Sequence, residues 1–267
     1  MAMNARLLRP RATGFTPTDA DARAYVAAVR TADGQPLEPN VAKAIDNFVL
    51  GCKTDGTWAA LSHCCLLAGP RTIAGCCVAL KGTAPTSNAF VTGDYDRKTG
   101  LIGSTANTKF LNTNVNNNTF AQDNFHMSIE IHTAQTSGST LYMMGAGASG
   151  TGASEIFASG NSLQFRNQSG SAQSPGAATD TTTGLIGSTR NSSSTFTMRW
   201  GANSTGAGTR TSAAPFNGTI HVFRTSSFST IFSNARLRWY SMGANIDFAL
   251  LRTRLITFYA DIAAAIP

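Results

Sequence analysis

The sequence predicts a mainly β protein: an antiparallel β-sandwich or jelly roll, preceded by an N-terminal helical region and followed by one C-terminal helix. Three observations point to it. Apolar residues recur at helical spacing in the first third of the chain. From Thr83-Ala84-Pro85-Thr86 onward the period falls to two, in many short runs separated by Gly, Ser and Asn clusters with no helix between them. After Asn245 the helical period returns. The expected organisation is an extended arm over 1–15, a helical region over 16–81, the sandwich over 82–243, and a helix over 244–267 packed on the sandwich or on a neighbouring subunit.

Thr16-Pro17-Thr18-Asp19 reads as a helix start, with Thr16 as cap and Pro17 at the first helical position. Ala22, Tyr25, Val26 and Val29 follow at helical spacing, and Gly34 ends the run. A second helix begins near Glu38-Pro39-Asn40, with Val41, Ile45, Phe48, Val49 and Cys52 on one stripe. Trp58, Leu61, Cys65 and Leu66 suggest a third short helix, and Thr72 to Leu80 reads equally as helix or buried strand.

In the sandwich, the run Phe125 to His132 alternates cleanly, burying Phe125, Met127, Ile129 and Ile131 and turning His126, Ser128, Glu130 and His132 toward solvent. Leu141 with Met143, Leu163 with Phe165, Phe196 with Met198 and Trp200, Ile220 with Val222, and Leu237 with Trp239 repeat the pattern. Thr99-Gly100-Leu101-Ile102-Gly103-Ser104-Thr105 recurs unchanged at Thr183 to Thr189, either as two equivalent strand-and-turn elements or by chance. In the terminal helix Asn245 is the expected cap, and Ile246, Leu250, Leu251, Leu255, Phe258, Tyr259 and Ile262 form the apolar stripe. Arg252 and Arg254 early and Asp261 late oppose the helix dipole, so these charges are expected to answer a partner or be overridden by tertiary contacts.

Composition narrows the function. Charged residues are 13% of the 267, about half the usual ~25%, and Ser, Thr, Asn and Gly supply the polar surface instead. The net charge of +7 invites a nucleic-acid reading, but the basic residues are scattered apart from Arg6, Arg9 and Arg11, and Arg236, Arg238, Arg252 and Arg254. No module signature accompanies them, so nucleic acid is not an expected partner, and a basic face meeting an acidic protein neighbour accounts for the charge at least as well. No stretch of about 18 apolar residues exists to cross a membrane, and no signal peptide is read at the N-terminus, so a protein soluble when made is expected.

Candidate chemistry is sparse. Cys52, Cys64, Cys65, Cys76 and Cys77 form a poor disulfide framework and miss metal spacing, even with His63 beside Cys64; packed apolar thiols are the default, and intermolecular disulfides a minority reading. Glycosidases on such sandwiches need paired acids. The acids here, Asp94, Asp96, Asp123, Glu130, Glu155 and Asp180, offer no such pair on one strand face. His126, Glu130 and His132 could form a metal or proton-transfer cluster, against a solvated polar face. Asp94-Tyr95-Asp96 could help hold calcium, but Arg97 and Lys98 oppose that and favour a turn. Tyr142 and Tyr240 are expected to face outward, with Trp200 and Trp239 inward, leaving few stacking platforms for a sugar. No catalytic, cofactor-binding or metal-binding residue is assigned.

Several stretches resemble a group of tailed-bacteriophage virion proteins that carry a concanavalin A-like (LamG-like) jelly roll. They are Leu7-Leu8-Arg9-Pro10-Arg11, Ala32 to Glu38, Gly51-Cys52-Lys53 with Asp55-Gly56 and Trp58, and Gly82 to Thr86 leading through Phe90 to Gly93-Asp94-Tyr95 and Arg97 to Gly103. Lys109, Leu111 to Asn114 and the closing Ala235 to Gly243 complete the set; roughly 138–217 does not share in it. The resemblance implies a structural virion protein (viral capsid decoration, tail or baseplate part, or fibre base) acting in assembly. Its implied partners are other virion proteins in a homo-oligomer, and its implied location is the virion. A glycan-binding adsorption module recognising the host surface is the alternative, and a polysaccharide depolymerase comes third.

Overall fold

The computed structural model describes residues 14–106 and 108–267. The arm expected over 1–15, with Arg6, Arg9 and Arg11 and the Leu7 to Arg11 motif, lies outside the described residues apart from Gly14 and Phe15. The helices are α1 (Ala20–Asp33), α2 (Pro39–Thr54), α3 (Thr57–Ala60), α4 (Ile73–Cys76) and α5 (Phe248–Ala265). The strands run β1 (Leu61–Leu66), β2 (Ala79–Lys81), β3 (Thr86–Asn88), β4 (Tyr95–Asp96), β5 (Gly100–Ile102), β6 (Phe110–Asn116), β7 (Phe125–Thr133) and β8 (Leu141–Ala146). They continue with β9 (Ala153–Ser159), β10 (Ser162–Ser169), β11 (Gly184–Arg190), β12 (Phe196–Trp200), β13 (Ser204–Gly208), β14 (Thr219–Val222) and β15 (Arg236–Gly243).

Two antiparallel sheets form a sandwich. The larger runs β13-β12-β11-β7-β15-β1-β2, with β5 and β4 attached beside β15; the smaller runs β10-β9-β8-β14-β6-β3. Between them lies one core, including Met127, Ile129, Ile131, Met143, Met144, Phe165, Met198 and Met242. A second core lies on the far side of the larger sheet, where Tyr25, Val29, Ile45, Phe48, Leu251, Leu255, Phe258 and Ile262 of α1, α2 and α5 cover Leu61, Cys64, Leu66, Leu185 and Trp239. Phe48 sits at its centre, 5.6 Å from the Trp239 ring and 5.3 Å from that of Phe258. The fold is therefore three layers, helices on sheet on sheet.

This third layer explains where the sequence misleads. The helix expected around Trp58, Leu61, Cys65 and Leu66 is instead the short α3 followed by strand β1. Flanked by β15 and β2, β1 turns Leu61, Cys64 and Leu66 to the helices and Cys65 to the sandwich core. A strand buried on both faces is apolar throughout and loses its alternation. Both β1 and β2 thus join the sheet from within the stretch 16–81 read as helical. The ambiguous segment after Thr72 is both things in turn, α4 and then β2.

Strand β15 corrects the pairing of Leu237 with Trp239. Its register against β7 shifts there, Leu237 opposing Ile131 and Trp239 opposing Glu130. The extra residue, Arg238, reverses the parity. Leu237 faces the sandwich core, Trp239 goes to the helices, and Tyr240, expected outside, is buried in the sandwich at 1% exposure. A similar shift in β8 puts both Met143 and Met144 into the core.

Helix starts are set by distant partners. α1 is capped by Asp19, whose Oδ1 accepts from the amides of Asp21 and Ala22 at 2.9 and 3.2 Å. Thr16 does not cap it, because Thr18 and Asp19 are held out of the helix by the buried Asp46 of α2. Asp46 accepts from the Thr18 amide (3.0 Å), the Thr18 hydroxyl (2.8 Å) and the Asp19 amide (2.9 Å). α5 is capped by Asp247 rather than Asn245, which instead takes the Thr189 hydroxyl at 2.8 Å. Leu250, expected in the stripe, is 39% exposed. Arg254 finds its partner within the chain, making two 2.7 Å bonds to Asp55.

The repeated heptapeptide gives two strand starts with the same left-handed glycine, Gly100 at φ 93° and Gly184 at φ 90°. Leu101 then enters the sandwich core while Leu185 lies under the helices, so the likeness ends at the turn.

Candidate functional site

The even-numbered face of β7 does not meet solvent as expected: α5 covers it. His126 and Ser128 are wholly buried and Glu130 is 6% exposed. The His126 ring stands edge-on to Phe248, 6.1 Å away. Its Nδ1 faces the Ala244 carbonyl, which can only accept, so Nδ1 carries the proton. Nε2 is then the acceptor for the Ser241 hydroxyl at 3.1 Å. Ser128 in turn donates to Ser241 at 2.7 Å, and Trp239 Nε1 donates to Ser128 at 3.3 Å. The chain of donors has one direction, and it ends on a neutral imidazole. Burial agrees, pushing the His126 pKa down to about 4.

A serine hydroxyl on a histidine invites comparison with a hydrolytic nucleophile and base. Here the histidine's other nitrogen meets a carbonyl rather than a carboxylate, and both side chains are closed off by α5. Glu130 forms a separate contact: Arg238 Nη2 donates to it at 2.8 Å, and the Arg238 guanidinium lies 4.0 Å over the Tyr259 ring. Burial raises the Glu130 pKa, with Arg238 opposing. His132 is exposed at the strand end. Four residues along a strand span about 13 Å, so His126 and Glu130 do not form one cluster. Among the described residues no group of three or more His, Cys, Asp or Glu is placed to hold a metal ion.

The outer face of the smaller sheet carries the second concentration of polar chemistry. Tyr142 does face outward, stacked on Phe157 at 4.9 Å, but Phe228 lies over it at 5.4 Å. In the next row the wholly buried Glu155 pairs with Arg166, whose guanidinium lies 4.9 Å over Phe157. Burial pushes the Glu155 pKa up to about 7 against the pull of Arg166. Opposite Glu155 in register is Gly145, where a Cβ would come within 2.8 Å of Glu155 Cγ and of the Ser154 carbonyl oxygen. The glycine makes the room that Glu155 occupies, and Thr225 and Ser226 close over it through a bridge and a backbone bond to Gly145.

The turn acids are engaged locally. Asp94 takes Lys109 Nζ at 2.6 Å and the Val91 amide at 2.8 Å; Asp96 Oδ1 takes the Lys98 and Thr99 amides and the Thr99 hydroxyl. Arg97 makes a two-pronged pair with Glu38 at the start of α2. Of the C-terminal arginines, Arg236 donates to the Gly100 carbonyl, Arg238 to Glu130 and Arg254 to Asp55. All five cysteines are free thiols, and four are buried. Burial pushes Cys52 up to about 12, and Cys65 Sγ bonds the Cys76 and Val78 carbonyls. Cys77, half-buried, is held below its ordinary value by a hydrogen bond with Cys76. Intermolecular disulfides are thus confined, in the folded protein, to Cys77.

No family model matches the chain, and no curated protein matches it in sequence. Among solved structures it is similar to the binding domain of botulinum neurotoxin serotype D, at 10% identity and a TM-score of 0.46, covering 74% of this chain and 51% of that one. It is also similar to a mutant of Trypanosoma rangeli sialidase displaying trans-sialidase activity, at 10% identity and a TM-score of 0.45, covering 83% of this chain and 39% of that one. The β-sandwich itself is defined by the strand pairing described above.

Proposed function

We propose that the protein is a non-catalytic structural component of a tailed-bacteriophage virion, acting in particle assembly and stabilisation as a capsid decoration, a tail or baseplate part, or a fibre base. The observation that carries the non-catalytic reading is the use made of the sandwich's reactive groups. His126, Ser241, Glu130 and Glu155 are all buried, and their contacts join strand to strand or roof a sheet. The virion reading is supported by the sequence resemblance.

Assembly needs a face to dock, and α5 supplies one. Its outward arc is Ala249, Leu250, Thr253, Ile256, Thr257, Ala260, Ala263 and Ala264, without a charge, and Leu250 and Ile256 are 39% and 49% exposed. A helix with apolar residues on its outer face as well as its inner one is suited to cover by a neighbour. In this reading the helical layer faces the particle and the smaller sheet faces outward.

The test is incorporation. Particles purified from cells making the chain should contain it in fixed stoichiometry, and a doubly substituted Leu250→Asp, Ile256→Asp chain should fold yet be left out. Particles devoid of the wild-type chain would refute the proposal.

A further inference from the structure

A groove of about 570 Å³ opens where the described chain begins, bounded by residues 14–17, one side of α1 and the turn into α2. Five residues of α1 line it: Arg23, Val26, Ala27, Arg30 and Thr31. They fall at i, i+3, i+4, i+7 and i+8, a single stripe along the helix. The inward face of α1 is a different one, with Ala22, Tyr25 and Val29 turned into the core beneath the helical layer. Phe15, Pro17, Pro36 and Leu37 complete an apolar lining around Val26 and Ala27. The wall made by the entering chain is held in place from both ends. Asp46 of α2 ties down Thr18 and Asp19, and Arg23 donates to the Pro17 and Thr18 carbonyls, each at 3.1 Å.

The rim of this groove is basic. Arg23 and Arg30 are both exposed, and among the described residues no acid lines the groove and neither arginine has an ion pair. The acids of this part of the chain are each engaged elsewhere. Lys53 takes Asp19 and Asp21, Arg71 and Arg97 take Glu38, and Arg254 takes Asp55. Asp33 accepts from the Arg71 and Thr72 amides, and Asp46 from those of Thr18 and Asp19. Two guanidinium groups seven residues apart on a helix stand about 10 Å apart along its axis. Between them the surface is Val26 and Ala27. The complementary pattern is a helix laid along α1, with carboxylates two turns apart and apolar side chains at the third and fourth positions between them. A polyphosphate would meet the arginines but set its remaining charges against the apolar lining.

We infer that this groove docks an acidic amphipathic helix of a partner protein, with its apolar side chains on Val26, Ala27 and Leu37 and its carboxylates on Arg23 and Arg30. The apolar lining supplies affinity, and the charged rim sets orientation and the rate of encounter. An arginine can take a carboxylate with two parallel bonds, which fixes the register of the two helices. No residue of the groove belongs to the outward arc of α5, so this inference can fail while the docking face proposed above stands, and the reverse.

The test uses the full chain and a fluorescent helical peptide of about two heptads, with Glu at the first position of each heptad, Leu at the fourth and fifth, and Ala and Gln elsewhere. In one control peptide Lys replaces each Glu, and in a second Ser replaces each Leu. By fluorescence anisotropy the acidic peptide should bind with a Kd of about 100 μM or tighter, and both controls at least about tenfold more weakly. In NMR spectra it should shift the amides of Val26, Ala27, Thr31 and Leu37, and raising salt from about 0.05 to about 0.5 M should weaken it. Arg30→Glu, at an exposed position, should cost about tenfold and improve binding of the Lys peptide, a gain that damage to the fold would not produce. Ala27→Asp, also exposed, should abolish binding of the acidic peptide. No binding, equal binding of the three peptides, or an affinity untouched by Arg30→Glu would overturn the site. Groove amides that shift with protein concentration alone would assign the groove to a second copy of the chain. Peptide binding that appears only after Leu7→Asp with Leu8→Asp would assign it to the chain's own first residues. Either result would overturn the partner proposed.

Discussion

Protonating His126 should cost the fold stability, and the amount follows from its surroundings. In the native protein the imidazole is neutral, with Nδ1–H on the Ala244 carbonyl and Nε2 receiving the Ser241 hydroxyl. Its pKa is about 4, against 6.5 for the free side chain. The folded value is depressed, and the group is a base, so the unfolded chain binds the proton first as pH falls. Stability from this residue is therefore complete above pH ~6.5, declines as pH drops toward ~4, and is flat below that. A difference of about 2.5 units at 1.36 kcal/mol each amounts to about 3 kcal/mol. Other groups tilt the same curve. His221, also near 4, adds to the slope, while Glu155, raised to about 7, acts oppositely and favours the fold as pH falls from ~7 to ~4.5. The measurement must therefore be a difference: urea unfolding of wild type and His126→Gln across about pH 4 to 8. The variant should be less stable by about 1–3 kcal/mol at pH ~8, through lost hydrogen bonds. The gap should then shrink by up to about 3 kcal/mol by pH ~4, because the variant has no imidazole to keep neutral. A gap independent of pH, or an NMR titration of His126 near 6.5 in the folded protein, would refute the directional hydrogen-bond chain.

Three further outcomes are expected. Gly145→Ala places a methyl 2.8 Å from Glu155 Cγ and the Ser154 oxygen, and should cost about 1–3 kcal/mol in thermal or urea unfolding; an unchanged midpoint would mean the sheet gives way freely. Asp46→Ala strands the Thr18 and Asp19 amides, and should lower stability by about 1–3 kcal/mol while hydrogen exchange quickens in α1 before it does in β7 or β15. With a thiol reagent at neutral pH, Cys77 should react in the folded protein and Cys52, Cys64, Cys65 and Cys76 only on unfolding; prompt reaction of all five would contradict the burial of these thiols.

The parts of the fold that were legible in the sequence are those with one buried face. The stripe of α2, from Val41 to Cys52, and the core-facing half of β7, from Phe125 to Ile131, sit in the structure as their spacing implies. The third layer was not legible, because a polar residue under a helix and one under water give the same alternation; His126, Ser128 and Glu130 read as solvated for that reason. β1 was hidden by burial on both faces, and β15 by a single extra residue at Arg238 that reverses the order of Trp239 and Tyr240. Helix starts depend on contacts far away in sequence, as Asp46 shows for α1. The burial of Arg199 had no sequence signal at all: an arginine alternating with Met198 and Trp200 on a strand reads as surface, yet it is 4% exposed in the structure.

The most direct measurement is cryo-electron microscopy of the purified particles whose genome encodes this chain. Density for the three-layer fold should recur at regular positions on the head or tail, with Leu250 and Ile256 of α5 against a neighbouring subunit. Complete particles with no density for the chain, or the chain present with α5 facing solvent and the smaller sheet docked, would contradict the assembly role or the face assigned to it.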